Sequence, residues 1–324
     1  MNNDIYELAI IGGGPAGVSA GVYAARKKLK TVFLTFDFES QSAVSENIQN
    51  WIGTPSISGA DFAKSLENHL KTYAGECLEI KTGVKATDIK TRLPSPAGSE
   101  HGGQETEAGF TIITTEGEFN AKAVLIATGS TRRKLEAKGA DVFEHKGLTY
   151  CATCDGPLYG DADVIVVGGG NAAFETAAQL SAYAKSVTLI NRSENFRADA
   201  ITVEKVLAKP NVKAIKNAVP FEVKGDKFVN GFSYKDAITG EIIDIPVTGI
   251  FIEIGLIPST AFAKNIVELN QSGQIIVDPR TQQTKTPMIW AAGDCTDGLY
   301  HQNNISSGDA VKALEDIYIH LHTK

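Results

Sequence analysis

The chain has no uninterrupted apolar run of about 18 residues, so no helix is expected to cross a membrane. It also lacks concentrated positive charge: the longest basic cluster is Arg26-Lys27-Lys28 and the formal net charge is -7. A phosphate-backbone partner is disfavoured on that ground, and no nucleic acid is expected to bind. Cysteine is scarce, with four in 324 residues, too few for a disulfide scaffold in a chain of this length. A reducing, cytoplasmic setting is therefore the expectation. The opening Met1-Asn2-Asn3-Asp4 runs almost directly into Leu8-Ala9-Ile10-Ile11, leaving no room for the charged, apolar and cleavage regions of a secretion signal.

What is present is an ordinary globular composition, 43% hydrophobic and 21% charged, in a chain long enough for two compact domains. Two of the four cysteines form Cys151-Ala152-Thr153-Cys154, followed at once by Asp155-Gly156. Such a pair has two readings. As half of a structural zinc site it needs two more ligands at close spacing. Only Cys77 and Cys295 remain, each alone, distant, and without a histidine at finger spacing, so no metal is expected. As a redox dithiol the pair closes and reopens a small disulfide, with the neighbouring carboxyl handling the proton that exchange requires. The dithiol is the favoured reading, because the pair lies beside a βαβ pattern.

That pattern occurs twice. Gly12-Gly13-Gly14-Pro15-Ala16-Gly17 and Gly168-Gly169-Gly170-Asn171-Ala172-Ala173 each follow a short apolar strand and open an alanine-rich helical segment. The expected strands are 5–11 and 164–167, and the expected helices 16–26 and 172–183. A lone glycine loop is often just a tight strand-to-helix connection. Strand, loop and helix in the same order twice argue instead for two dinucleotide sites. The first glycine makes the turn, the second lets a pyrophosphate approach the backbone, and the third, or Ala173, lets helix and strand pack closely. For the second loop, a retained fold with a lost or altered ligand stays open as an alternative. Residues 123–129, 249–255 and 289–294 read as buried strands, the first ending in a small-residue turn. Residues 93–109, rich in Pro, Ser, Gly and Glu, read as an exposed hairpin loop.

Taken in order, the first glycine loop, Ala127-Thr128-Gly129, Cys151 to Gly156, the second glycine loop and Gly293-Asp294 resemble the low-molecular-weight thioredoxin reductases along the whole chain. The reductase part of the alkyl hydroperoxide reductase flavoprotein is a close relative. That protein carries an extra N-terminal thioredoxin-like module, of which this sequence shows no sign, and Cys-Ala-Thr-Cys is the thioredoxin-reductase form. The resemblance implies an α/β fold of two Rossmann-like, three-layer nucleotide-binding domains, the second inserted in the first. A discontinuous FAD domain would comprise residues 1–131 and 248–324, and a nicotinamide-type domain carrying the dithiol would comprise 132–247, with hinges near Arg132 and Val247. In the family the inserted domain rotates between turnover steps, because the flavin cannot face nicotinamide and dithiol together.

By the same resemblance, FAD lies across Gly12, Gly14, Gly17, Gln41, Asn50, Gly293 and Asp294, with Gln302 and Asn303 near the isoalloxazine. The nicotinamide nucleotide falls to Gly168, Gly170 and Ala173. Cys154 is the thiol that contacts the flavin, Cys151 the one that attacks the partner's disulfide, and Asp155 the acid that protonates the departing thiolate. Asp155 also has a plainer reading as a turn or cap residue, since Asp-Gly is a common turn pair. A thioredoxin-like partner protein and a homodimer are implied, although Pro157-Leu158-Tyr159 replaces the paired aromatics sometimes found after the dithiol.

Three segments depart from the family. Asn191-Arg192-Ser193 and then Arg197 leave two arginines where three read the 2′-phosphate of NADPH. No acidic residue ends that strand to hold a ribose hydroxyl, so NADPH remains the expected donor over NADH; solvated surface charges are the alternative for both arginines. Glu39-Ser40-Gln41 stands for Gly-Gly-Gln, and His301-Gln302-Asn303 for Arg-Gln-Ala. His301 either tunes the flavin or is a polar loop residue. These departures keep open a ferredoxin or second-flavin (second FAD) donor and a dithiol oxidase. A non-catalytic redox sensor is a further, less favoured reading, because the dithiol set is intact.

Overall fold

A computed structural model describes residues 5–43, 45, 48–94 and 108–323. Residues 95–107, most of the expected hairpin loop, lie outside the described residues, as do Met1-Asn2-Asn3-Asp4. The chain divides into two units, Met1–Thr131 with Ile257–Lys324, and Arg132–Leu256.

The first unit opens with β1 (Ile5–Ile11), α1 (Pro15–Arg26), β2 (Thr31–Leu34), α2 (Gly59–Ala74), β3 (Leu78–Lys81), β4 (Ala86–Arg92), β5 (Gly109–Thr114) and β6 (Gly117–Ile126). The chain leaves along β7 (Ser130–Arg132). The second unit contains β8 (Leu148–Thr149), α3 (Ala152–Asp155), β9 (Asp163–Val167), α4 (Asn171–Leu180), β10 (Ser186–Ile190), α5 (Ala200–Leu207) and β11 (Val212–Ile215). It continues through β12 (Ala218–Gly225), β13 (Val229–Asp236), β14 (Ile242–Ile245) and β15 (Gly249–Ile252). The chain returns along β16 (Leu256–Pro258), and β17 (Ile289–Ala291) and α6 (Asn303–His322) complete the first unit.

The first sheet has the order β3-β2-β1-β6-β5-β4, with β17 also paired to β6. Its β1, β2, β3, β6 and β17 run parallel, and β4 and β5 add antiparallel strands. Alternation along β1 explains the unbroken apolar run of its second half, residues 8–11. Leu8 and Ile10 pack with Val18 and Val22 of α1, Phe62 and Leu70 of α2, and Leu314 and Ile317 of α6. Ala9 and Ile11 face the other way, towards Ile112, Val124 and Ile289. A parallel strand covered on both faces has no position where a polar side chain is tolerated cheaply.

The second unit is built on the same plan. Its five-stranded sheet, β11-β10-β9-β15-β8, is parallel throughout. Val164, Val166 and Phe251 pack under Phe174, Ala177 and Leu180 of α4. Ile165, Val167, Ile250 and Ile252 meet Phe232 and Tyr234 of β13, in the antiparallel sheet β12-β13-β14. The architecture is α/β, with two three-layer Rossmann-like units, one inserted in the other.

Two boundaries differ from the sequence reading. Strand β15 pairs with β9 and β8 inside the second unit, so the return crossing falls between Leu256 and Ile257 and not after Val247. Helix α4 stops at Leu180, short of the expected Tyr183. Residues beyond it tighten into a turn in which Tyr183 N donates to Leu180 O and Tyr183 O accepts from Asp161 N.

Candidate active site

The first glycine loop separates into positions the chain needs and a position it does not. A side chain on Gly12, at φ 124°, would place its Cβ 2.2 Å from Ala127 O. One on Gly17 would stand 1.8 Å from Gly12 O, where helix and strand pack. Gly14 is different: it has φ -76° and ψ -175°, open to any residue, and an added Cβ would meet only Ser40 Cβ at 3.6 Å. Its lack of a side chain answers no demand of the folded chain, which is what a backbone kept bare for a pyrophosphate requires. Pro15 starts α1, and no acidic residue lies in its first turn, so the positive helix end is unopposed.

The residues assigned to FAD converge in the first unit. Gln41 Nε2 donates to Ser130 Oγ at 3.1 Å and lies 3.5 Å from Asp294 Oδ2, while Asp294 Oδ1 accepts from Ser306 Oγ at 3.1 Å. Asn50 Nδ2 donates to Gln302 Oε1 at 3.1 Å, and Ser42 Oγ to Asn303 Oδ1 at 3.0 Å. Gly293 (φ 78°) permits the approach of α1 and α6 at this point: a Cβ there would lie 3.2 Å from both Ala16 and Ser306. The departures are placed as well. Glu39 is exposed, so its charge faces water, and His301 Nδ1 stands 3.5 Å from Asp294 Oδ1.

The second loop repeats this logic. A Cβ on Gly168 would approach Glu253 O to 2.3 Å and Ala173 Cβ to 3.0 Å, and one on Gly169 would strike Asn191 Oδ1 at 2.1 Å. Gly170 would meet nothing within 4 Å. Again the bare position is the one beside the helix N-terminus, at the N-cap of α4. Asn191, the first residue beyond β10, is buried, and its Nδ2 donates to Ser193 O and Asn195 O. Arg197 N donates to Gly169 O at 2.7 Å, tying the 192–197 loop to the glycine loop. The Arg192 and Arg197 side chains are exposed and make no hydrogen bond or ion pair among the described residues. Both glycine loops therefore fit the dinucleotides assigned to them.

The dithiol lies on α3, with Cys151 and Cys154 joined as a disulfide and both half-buried. Cys151 is the N-cap residue, and its sulfur accepts from Cys154 N at 3.2 Å. Asp155 makes no side-chain cap; its Oδ2 accepts a hydrogen bond from Thr149 Oγ1 on β8. Cys295 contrasts with the pair, being fully buried with its thiol pushed up to about 11 by that burial. It is inert where the pair is accessible.

Sequence reading missed Thr149, Thr176 and Glu253. Glu253 immediately follows β15, and Thr176 Oγ1 donates to its Oε1 at 2.7 Å. Burial is the main cause that raises its carboxyl to about 7, opposed by the Thr176 hydrogen bond and by Arg132. The signal was available: Glu253 is the single charge within residues 249–255. Among the described residues no cluster of three or more His, Cys, Asp or Glu offers a metal site, and no helix is long and apolar enough to cross a membrane.

Paired thiols beside a nucleotide-type loop are the working parts of an oxidoreductase. Comparison with known proteins gives its kind: the chain belongs to the pyridine nucleotide-disulphide oxidoreductase family, whose profile matches residues 6–311. It is 36% identical over 313 residues to an alkyl hydroperoxide reductase protein of Staphylococcus epidermidis (the F subunit), covering 96% of this chain and 58% of that one. It is 35% identical over 308 residues to an NADH dehydrogenase of Bacillus subtilis, covering 95% and 57%. The chain thus spans less than two-thirds of these curated relatives. Among solved structures, thioredoxin reductase from Streptococcus pyogenes matches with a TM-score of 0.87 and 30% identity, covering 100% of both chains. Membership of the family implies FAD and a pyridine nucleotide.

Proposed function

We propose that this chain is a disulfide reductase that takes electrons from NADPH and passes them through FAD and the Cys151/Cys154 pair to the disulfide of a thioredoxin-type protein. The observation that carries this reading is the closed Cys151–Cys154 disulfide on α3, with Asp155 beside it and β9 and its glycine loop following in the same unit. FAD, when bound, supplies the relay between a hydride donor and the dithiol. Gly14, Gln41, Asn50, Asp294, Gln302 and Asn303 would hold it, while Gly170 and α4 would receive the nucleotide's pyrophosphate and Arg192 and Arg197 its 2′-phosphate.

The protein's own residues account for the exchange. With the pair reduced, the Cys151 thiolate attacks one sulfur of the partner's disulfide, and the partner's other sulfur leaves as a thiolate that takes its proton from Asp155. Cys154 then attacks Cys151 Sγ in the mixed disulfide, which closes the pair and releases the partner's second thiol. Thr149 orients the Asp155 carboxyl, and Cys154 N offers a donor to the Cys151 thiolate. A homodimer belongs to the same reading by family resemblance. NADH is the alternative donor, favoured by the name of the Bacillus subtilis relative and by the two arginines, in place of three, near β10.

Anaerobic titration with NADPH, and separately with NADH, tests the donor by flavin bleaching, and oxidised thioredoxin added afterwards tests the acceptor by return of colour. The expected result is bleaching by NADPH and recolouring by thioredoxin. Bleaching by neither nucleotide sinks the donor assignment and leaves ferredoxin or a second flavin. Bleaching that thioredoxin does not reverse removes that partner, and bleaching by an added dithiol with peroxide formed on admitting oxygen identifies a dithiol oxidase.

A further inference from the structure

Glu253 occupies a position that the exchange chemistry does not use. Ile252 of β15 pairs with Val167 of β9, so Glu253 lies directly across from Gly168, the first residue of the second glycine loop. Its N–H donates to Val167 O at 2.8 Å, and its own carbonyl is the atom that forbids a side chain at Gly168. In the order β11-β10-β9-β15-β8 the chain runs from β9 to β10 on one side and reaches β15 on the other. The crevice at the carboxyl ends of β9 and β15 is therefore the switch point where doubly wound sheets take ligands.

A dinucleotide with its pyrophosphate at Gly170 has two halves to place. One lies towards the end of β10, where Asn191, Arg192 and Arg197 stand. The other lies towards the end of β15, where the first residue beyond the strand is Glu253. The arginines assign the phosphorylated adenosine half to the β10 side, which leaves the nicotinamide half on the Glu253 side.

The carboxyl is held ready for a ligand. Oε1 is fixed by Thr176 Oγ1 from α4, and Oε2 makes no hydrogen bond or ion pair among the described residues and is not sealed from solvent. The charged groups acting on it are Arg132, which favours its ionisation, and Glu175 of α4, which opposes it. A structural carboxyl serving only to pin α4 to β15 would need one oxygen, and a Gln would serve as well.

We propose that Glu253 faces the nicotinamide half of the bound nucleotide and, as a carboxylate, favours the oxidised ring over the reduced one. The reason is charge. The oxidised ring is formally positive and the reduced ring neutral, so a half-buried carboxylate beside it stabilises the first far more than the second. By linkage, tighter binding of the oxidised form makes the bound nucleotide a stronger hydride donor. This inference rests on the nicotinamide reading of the second unit.

Calorimetric binding at pH 8, where the Glu253 carboxyl is ionised, tests it on the flavin-loaded protein without turnover. The probes are oxidised NADP (or NAD, if that is the nucleotide bound), its tetrahydronicotinamide analogue, which is neutral and gives no hydride, and 2′,5′-ADP, which lacks nicotinamide. Glu253→Gln, which keeps an acceptor for Thr176, should weaken the oxidised nucleotide about tenfold, the tetrahydro analogue less than about twofold, and 2′,5′-ADP not at all. Glu253→Ala should show the same loss of selectivity, so the result does not hang on one variant's folding. Equal weakening of all three probes would assign Glu253 a structural role and overturn the proposal, as would unchanged binding. In either case wild-type nucleotide binding leaves the donor reading intact. A wild-type protein that binds no nicotinamide nucleotide overturns both.

Discussion

At Gly14 an added side chain would touch only Ser40, and at Gly170 nothing, whereas at Gly12, Gly17 and Gly168 it would run into backbone carbonyls. Glycines of the same motif thus differ: chain sterics require them at the turn and the helix–strand contact, while the position between them is left open, as the proposed pyrophosphate site needs. Two variants separate these roles. Gly14→Val should purify without flavin colour and fold with a melting temperature near that of flavin-stripped wild type. Gly17→Val should lose about 3 kcal/mol or more of stability, because the new side chain strikes backbone that cannot move aside. Melting curves and visible absorbance measure both, and a Gly14→Val protein carrying full flavin would remove the pyrophosphate from that loop.

At the scale of elements, the loop between β10 and α5 is fastened to the second glycine loop by Arg197 N to Gly169 O and by Asn191 and Gly169 in mutual contact. Asn171 and Asp199 add a second tie, Asn171 Nδ2 donating to Asp199 Oδ2 and Asp199 N to Asn171 Oδ1. The backbone that carries Arg192 and Arg197 is fixed, while their guanidinium groups engage no partner among the described residues. A charge-assisted bond from either to a 2′-phosphate is worth on the order of 1.5–3 kcal/mol, so Arg192→Ala should raise the KM for NADPH roughly tenfold or more. NADH lacks the phosphate and should be nearly unaffected. Steady-state kinetics with both nucleotides measure the contrast, and an equal effect on the two would return Arg192 to the solvated surface.

At the scale of the molecule, the only cysteines spaced to pair with one another lie in one of the two units. Cys77 and Cys295 both lie in the first unit, half-buried and fully buried respectively, while the accessible disulfide lies in the second. Cys151→Ser should therefore abolish disulfide reductase turnover, since no other thiol can take its place, while bleaching of the flavin by the electron donor persists. Turnover assays and anaerobic spectra check the two halves of that expectation. Retained turnover would take the pair out of the mechanism.

Local sequence was sufficient for the two strand–loop–helix units and for the dithiol. The apolar runs of β1 and β9, the small residues of the loops and the short reach of a CxxC all act within a few residues of one another. The alternation that sends Leu8 and Ile10 to one face and Ala9 and Ile11 to the other follows from the pleat alone. Only the tertiary structure decided where residues 249–255 belong. An apolar run of that length suits either sheet, and its place beside β9 is set by long-range pairing, which also moved the unit boundary from Val247 to Leu256. The same pairing turned Glu253 from a stray charge in a strand into a half-buried carboxyl at a ligand crevice. Sequence can name a charged residue, but desolvation and neighbours decide what it does, and those arrive only when distant segments pack.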